Sequence, residues 1–392
     1  MTPATLSLDV ARGSSWDAII LGAGPAGSLA ARQLAREGAR TLLVDKRAFP
    51  RDKVCGACLN GRALSVLQSA GLGTLAARHG AIALGSFEVR VRHRATRLTL
   101  PAGVALSRAR FDSALVAEAI DAGAAFLPGV TASVLPSADD EVRRVLLTSI
   151  GPAAEAQARV VLVAAGLSNH CLARETAIRN DVADRSRIGA GCTVPDGPEC
   201  YAAGTIHMAV SRAGYVGLVR VEDGSLNVAA ALEPAIVKSL GAADAAAAVL
   251  AEAGFPPVPS IGRATWRGTA GLTRRTHPIA ASRLFVLGDA AGYVEPFTGE
   301  GIAWALAAGA AVAPLELRAC ERWEPALERQ WAELYRQRIA RRQLLCKALA
   351  LVLRHPSVAG AAFAMLGRMP GLAEPFLRRL NTPSVALEAS TL

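Results

Sequence analysis

Apolar positions along the chain come in two main rhythms. Short, nearly unbroken apolar runs at 16–21, 40–44 and 284–287 predict buried parallel strands. The stretch 85–105 instead alternates, as in Phe87-Glu88-Val89-Arg90-Val91-Arg92, and predicts a strand with one wet face. Helices are expected over 22–38, 62–80, 110–123, 236–254 and from 301 to 313, and again over 321–381 with breaks near Pro356 and Pro370. Further strands are expected at 124–135, 142–150 and 158–164, and strands dominate 186–232. The opening order of strand, turn, helix and strand is a βαβ unit. The fold class is therefore α/β: a Rossmann-like nucleotide-binding domain (16–185 plus 276–315), an inserted mixed β-sheet domain (186–275) and a helical C-terminal region (316–392). Residues 1–15 read as a flexible lead-in.

Composition narrows this. With 52% hydrophobic and 19% charged residues in 392, the chain can bury a large core, which excludes a disordered protein and fits two joined domains. The net charge is +10, carried almost wholly by arginine, since Lys46, Lys53, Lys238 and Lys347 are the only lysines. Such a balance suits anionic cofactors, or contact with an anionic membrane surface or an acidic carrier protein. No basic-aromatic module is present, so nucleic acid is not an expected partner. Seven scattered cysteines, an odd number, point to reduced thiols and a cytoplasmic setting. The first 15 residues hold no apolar stretch of signal-peptide length, and no uninterrupted run of 18 apolar residues predicts a spanning helix.

Two motifs carry chemistry. In Gly22-Ala23-Gly24-Pro25-Ala26-Gly27 the first glycine permits a tight turn, the second lets a pyrophosphate approach, and the third lets the helix pack on the strand. Asp45, at the end of the next strand, suits a ribose hydroxyl. The second motif runs from Leu284 through Gly288-Asp289-Ala290-Ala291-Gly292 to Pro296-Phe297-Thr298-Gly299-Glu300-Gly301, then into a helix. Asp289 can accept from a ribityl hydroxyl, and the helix N-terminus can stabilise negative charge on a reduced flavin ring. Two such sites together point to FAD.

These segments, with Phe49-Pro50-Arg51-Asp52-Lys53-Val54-Cys55-Gly56 and Arg108-Ala109-Arg110-Phe111-Asp112 between them, occur in an order that resembles the geranylgeranyl reductase family. That family belongs to the wider p-hydroxybenzoate-hydroxylase-like flavoproteins, which include flavin-dependent halogenases. The resemblance covers about residues 16–315. It implies FAD held by Gly22, Gly24, Ala26, Gly27, Asp45, Lys46, Cys55, Gly56, Arg108, Gly288, Asp289, Pro296, Gly299, Gly301 and Ile302. Cys55 and Gly56 match a Cys-Gly pair beside the flavin. Tyr215, in Gly214 to Arg220, matches the tyrosine of the family's lipid-pocket segment, whose Trp and Phe-Pro are not retained.

Candidate catalytic residues are Cys55, Tyr215 and His277, with His207 as a further acid–base candidate; Glu295 and Glu300 flank the ring-facing loop, where either could assist proton transfer, with a cap or surface role the favoured alternative. Cys55 and Cys58 are a Cys-x-x-Cys without a second pair at zinc spacing, so no metal is expected; a redox dithiol and packing of Cys58 are the alternatives. Few charged residues in 201–232 suggest an apolar or aromatic substrate at the domain interface. The first expectation is a monooxygenase using reduced flavin and oxygen, with NAD(P)H as candidate electron donor. The second is a reductase of a carbon–carbon double bond in a prenyl or polyketide-like lipid. A third, of another class, is a flavin-binding protein without turnover. Between Leu334 and Arg354 six basic residues and no acidic ones interleave with leucine and alanine, which fits an amphipathic helix at the inner face of a membrane or against a carrier protein.

Overall fold

The computed structural model describes residues 1–137, 141–295, 297 and 299–372. Pro296, and the expected helical residues 373–381, lie outside the described residues. The apolar runs assemble into one eight-stranded sheet. Its parallel centre is, in order, Leu284–Val286, Ala154–Val163, Ser15–Leu21, Thr41–Asp45 and Ala125–Pro128, as strands buried on both faces require. The short strand Ala280–Ala281 closes one edge antiparallel. On the faces lie the helices Pro25–Arg36, Arg108–Asp121 and Gly301–Glu321. Gly301–Glu321 is long and apolar enough to cross a membrane, yet most of it is buried inside the protein. A helix apolar all round is a core helix when neighbours cover it.

The second sheet has seven strands: Arg267–Gly271, Ile188–Val194, Leu226–Leu232, Gly214–Arg220, Thr205–Ser211, Ser86–Val91 and Arg94–Thr99. All neighbours are antiparallel except Thr205–Ser211 with Ser86–Val91. The inserted sheet thus extends beyond 186–275: the alternating segment at 85–105, grouped by sequence with the nucleotide-binding part, supplies two of its strands. Alternation reveals a strand with a wet face but not the sheet it joins. One face of this sheet packs on the helix Ala242–Ala253. The other faces a cavity and the C-terminal helices Arg341–Leu353 and Pro356–Arg368.

Two other expectations change. Residues 1–15 are not a loose lead-in. Thr2 and Thr5 donate backbone hydrogen bonds to the carbonyls of Phe49 and Phe126, both at 3.0 Å. The helix Leu8–Gly13 is capped by Ser7, and its Ala11 carbonyl accepts from the Trp16 indole at 2.9 Å. These partners are distant in sequence or belong to the next element, so a short polar stretch gave no sign of them. The single helix expected over 236–254 is two, Pro234–Leu240 and Ala242–Ala253, bent by 111° at Gly241, whose φ of +81° ends the first.

Candidate active site

A cavity of about 470 Å³, within the range of small-molecule and cofactor sites, lies between the two sheets. One end is the glycine turn. A Cβ on Gly22, whose φ is +109°, would lie 2.4 Å from the carbonyl oxygen of Ala164, and one on Gly27 would lie 1.9 Å from that of Gly22. Strand and helix are therefore in backbone contact there, and only glycine fits. Gly24 faces open space with two guanidinium groups near it: a Cβ there would be 3.7 Å from Arg51 and 3.9 Å from Arg108. No side chain caps the helix Pro25–Arg36, so its first N–H groups remain for an anion.

Buried carboxylates hold the arginines in place. Asp112, fully buried, accepts two hydrogen bonds from Arg108 at 2.8 Å and lies 3.2 Å from Arg51. Burial opposes the charge on Arg108, but Asp112 outweighs it, and the guanidinium is held firmly charged. Asp45 ends its strand as expected. It accepts from the backbone N–H groups of Ala23 and Arg47, both at 2.9 Å, and stands 3.6 Å from Arg51. Orphan N–H groups, two fixed cations and a strand-end carboxylate match the pyrophosphate and ribose of FAD. Lys46, by contrast, points into solvent and does not line the cavity.

Farther in, Ala26, Cys55, Gly56, Arg108, Gly288, Asp289, Gly299, Gly301 and Ile302 all line the cavity. Lys53, not singled out from the sequence, lies 3.3 Å from Asp289. The helix Gly301–Glu321 starts at this wall without a side-chain cap, leaving N–H groups at the place expected for the flavin ring. Cys55 and Cys58 are both free thiols. Burial, and the neighbouring Cys55, push the Cys58 thiol far up, so it stays protonated and is no thiolate.

Tyr215 lies between Val210 and Ala231 of the neighbouring strands and lines the cavity. Its ring meets Phe297 edge to face at 5.2 Å, and the Arg187 guanidinium sits 5.7 Å from its centre. Its hydroxyl is buried with no hydrogen-bond partner among the described residues. Burial first, then Glu295, raises its pKa well above the ordinary tyrosine value. Tyr293, also missed from the sequence, lines the same wall and is shifted the same way by burial.

The histidines are elsewhere. His277 is half-exposed at the end of the middle strand of a small three-stranded sheet, 3.5 Å from Asp181, and does not line the cavity. The flanking residues Ile206 and Met208 line the cavity, so the side-to-side alternation of the strand points His207 to the opposite face. There it packs on Tyr201 and Phe255, and burial lowers its pKa. Glu295 and Glu300 are not surface residues. Each is about 2% exposed or less, and burial raises both pKa values. Glu295 lies 3.8 Å from Arg187, and Glu300 accepts from the Cys346 thiol at 3.1 Å.

Away from the glycine turn the wall is Leu84, Phe87, Leu98, Leu100, Met208, Leu218, Leu272 and Phe297, closed by Leu349, Phe363 and Leu366 from the C-terminal helices. Among the described residues, Lys53, Arg108 and Asp289 are the charged lining residues, and all three face the cofactor end.

With this geometry in view, comparison with known proteins is informative. The FAD binding domain family matches residues 15–171. Menaquinone reductase of Mycobacterium tuberculosis is 30% identical over 367 residues, covering 87% of this chain and 85% of that protein. The chain belongs to the geranylgeranyl reductase-like family of FAD-dependent oxidoreductases. Digeranylgeranylglycerophospholipid reductase of Thermoplasma volcanium, 24% identical over 348 residues, covers 84% of the chain and 85% of its own length. The fold is shared more widely. A flavin-dependent brominase superposes with a TM-score of 0.77 at 16% identity, covering 94% of both chains. p-Nitrophenol 4-monooxygenase of Pseudomonas putida does so with 0.76 at 14%, covering 95% of this chain and all of its own. A family member of this architecture is an FAD-dependent oxidoreductase, and one flavin scaffold hosts several reactions.

Proposed function

We propose that this flavoprotein reduces a carbon–carbon double bond in a long, apolar, isoprenoid-type lipid. The observation that carries the reading is the division of the cavity: every charged lining residue among those described faces the cofactor end, and the rest is an apolar tunnel walled partly by the C-terminal helices. A small polar phenol would leave such a tunnel largely unfilled, whereas a hydrocarbon chain would fill it at about 0.8 kcal/mol per buried methylene. The full-length relatives named as reductases of a quinone and of a lipid support the same reading.

FAD held here would supply hydride-transfer chemistry. Asp45, Arg51, Arg108 and the first N–H groups of Pro25–Arg36 bind the cofactor's ribose and phosphates, and Asp289 its ribityl chain. Leu349, Phe363 and Leu366 exclude water from the reacting bond. Tyr215 holds its phenolic proton at Oη, with no hydrogen-bond partner among the described residues, and delivers it to a carbon of that bond. Cys55 lines the cofactor wall opposite the tunnel. NAD(P)H is the proposed source of electrons.

The test uses the purified, flavin-loaded protein. The flavin is reduced without air and mixed with a long-chain isoprenoid quinone or a polyprenyl lipid, and the product is weighed by mass spectrometry. Flavin reoxidation without oxygen, with a product that keeps two extra hydrogens after any quinol is reoxidised in air, is expected. Reoxidation that needs oxygen and yields a product gaining one oxygen atom would replace this reading with the monooxygenase that the sequence alone favours. No turnover with any donor or lipid would leave a flavin-binding role.

A further inference from the structure

We propose that the helices Arg341–Leu353 and Pro356–Arg368 form a docking surface for an anionic lipid bilayer, and that the cavity behind them receives its lipid from that bilayer. Only the second half of this statement rests on the lipid-reductase reading; the docking surface stands on its own observations.

The first is where exposed apolar side chains lie. Leu344, Leu351, Val358, Met365, Met369 and Leu372 are each about half or more exposed. Among the described residues, the other large exposed apolar residues, Met1, Val10, Ile150, Val182 and Leu240, are scattered in sequence. Concentration of this kind marks an interaction surface, whereas single exposed apolar residues need no explanation. The second is spacing. Leu344 and Leu351 are two helical turns apart, as are Val358 and Met365, so each helix carries one outward apolar row. The opposite sides of the same helices, through Leu349, Phe363 and Leu366, line the cavity.

Charge decides the partner. Arg341 and Lys347 flank the first row and Arg368 ends the second, all exposed. No aspartate or glutamate occurs from Leu334 to Leu372. Apolar rows set among unbalanced cations match the boundary between acyl chains and anionic headgroups. A second copy of the chain would bring the same positive charge against itself. The helix Pro356–Arg368 has 13 residues, about 20 Å of rise, too short for a hydrocarbon core of about 30 Å, and the helical stretch that ends at Leu353 is held in the protein core upstream through Leu327, Trp331 and Tyr335. The helical stretch ending at Leu353 and the helix Pro356–Arg368 also meet at 113°. The pair therefore lies along the interface rather than through it.

The test is flotation of the full-length, flavin-loaded protein with vesicles of phosphatidylcholine alone or mixed with phosphatidylglycerol. Binding to the mixed vesicles on the order of a hundredfold tighter is expected from three cations, weakening as salt rises. Arg341→Gln and Lys347→Gln should each weaken it about fivefold. Leu344→Glu combined with Met365→Glu should abolish it, and Ile150→Glu should leave it unchanged. Retained flavin in each variant reports an intact fold. Equal binding to the two vesicle types, or full binding by the Leu344→Glu/Met365→Glu protein, would overturn the proposal. Vesicle binding is read without turnover, so failure of the docking surface leaves lipid reduction standing, and failure of lipid reduction leaves docking standing.

Discussion

The two ends of the cavity are built in different ways. At the cofactor end, contiguous motifs bring backbone N–H groups and charged side chains together, and much of the geometry is local. Gly22, Gly24 and Gly27 sit in one turn, Arg108 and Asp112 are one helical turn apart, and Arg51 and Lys53 belong to one loop. At the tunnel end no two adjacent motifs meet. Phe87, Met208 and Tyr215 come from three paired strands, Leu272 and Phe297 from two loops and Phe363 from a C-terminal helix, and sheet pairing and burial bring them together. The cofactor end therefore tolerates little change in residue type. The tunnel end tolerates exchange among apolar residues of similar volume, which is how one scaffold acquires different substrates.

Substitutions can sharpen or break this contrast. The largest effect is expected for Asp112→Ala, which strands the buried Arg108 guanidinium and leaves Arg51 with Asp45 as its remaining carboxylate. It should cost about 3–5 kcal/mol of stability in denaturant unfolding and lower flavin content. Gly27→Ala should follow at about 3 kcal/mol, because the added Cβ meets backbone rather than a movable side chain. A mild effect from either would mean that the cofactor end is less rigid than its contacts imply.

Tyr215→Phe should leave stability and flavin content near those of the parent while slowing turnover about a hundredfold, as loss of a positioned proton donor does. Because burial raises the Tyr215 pKa, its proton is present throughout the neutral and mildly alkaline range. Turnover should show no loss from this group below about pH 10, the ordinary tyrosine value. A fall centred near neutrality would assign the proton to another group. Phe363→Leu should be milder still, raising KM for long-chain lipids a few-fold with little change in kcat, since it trims one apolar wall. His277→Ala should alter neither constant, and any large loss would bring the small three-stranded sheet into the site.

The βαβ opening, the glycine turn, Asp45 and the Gly288-Asp289 segment were legible in the sequence because each is a local device, with its partners a few residues away or at the next strand end. The same reasoning located the cavity-lining Cys55, Arg108 and Tyr215. His277 lies at the end of a strand away from the cavity, and Lys46 is exposed just after the strand that ends in Asp45. The sequence also left Tyr293 and the C-terminal wall unassigned, and favoured a cap or surface role for Glu295 and Glu300, both of which are buried, Glu300 at the start of the helix Gly301–Glu321.

What the sequence determined by itself is thus the kind of cofactor and the scaffold that holds it, since phosphate and ribose recognition rests on turn geometry and helix ends that short motifs encode. The tertiary structure alone decided that Ser86–Val91 joins the seven-stranded sheet, that Tyr215 faces the cavity while His207 faces away, and that Phe363 and Leu366 close the tunnel. The physical reason is that strand partnership and burial depend on long-range packing. An apolar residue in a helix pattern carries no record of which distant surface it will cover.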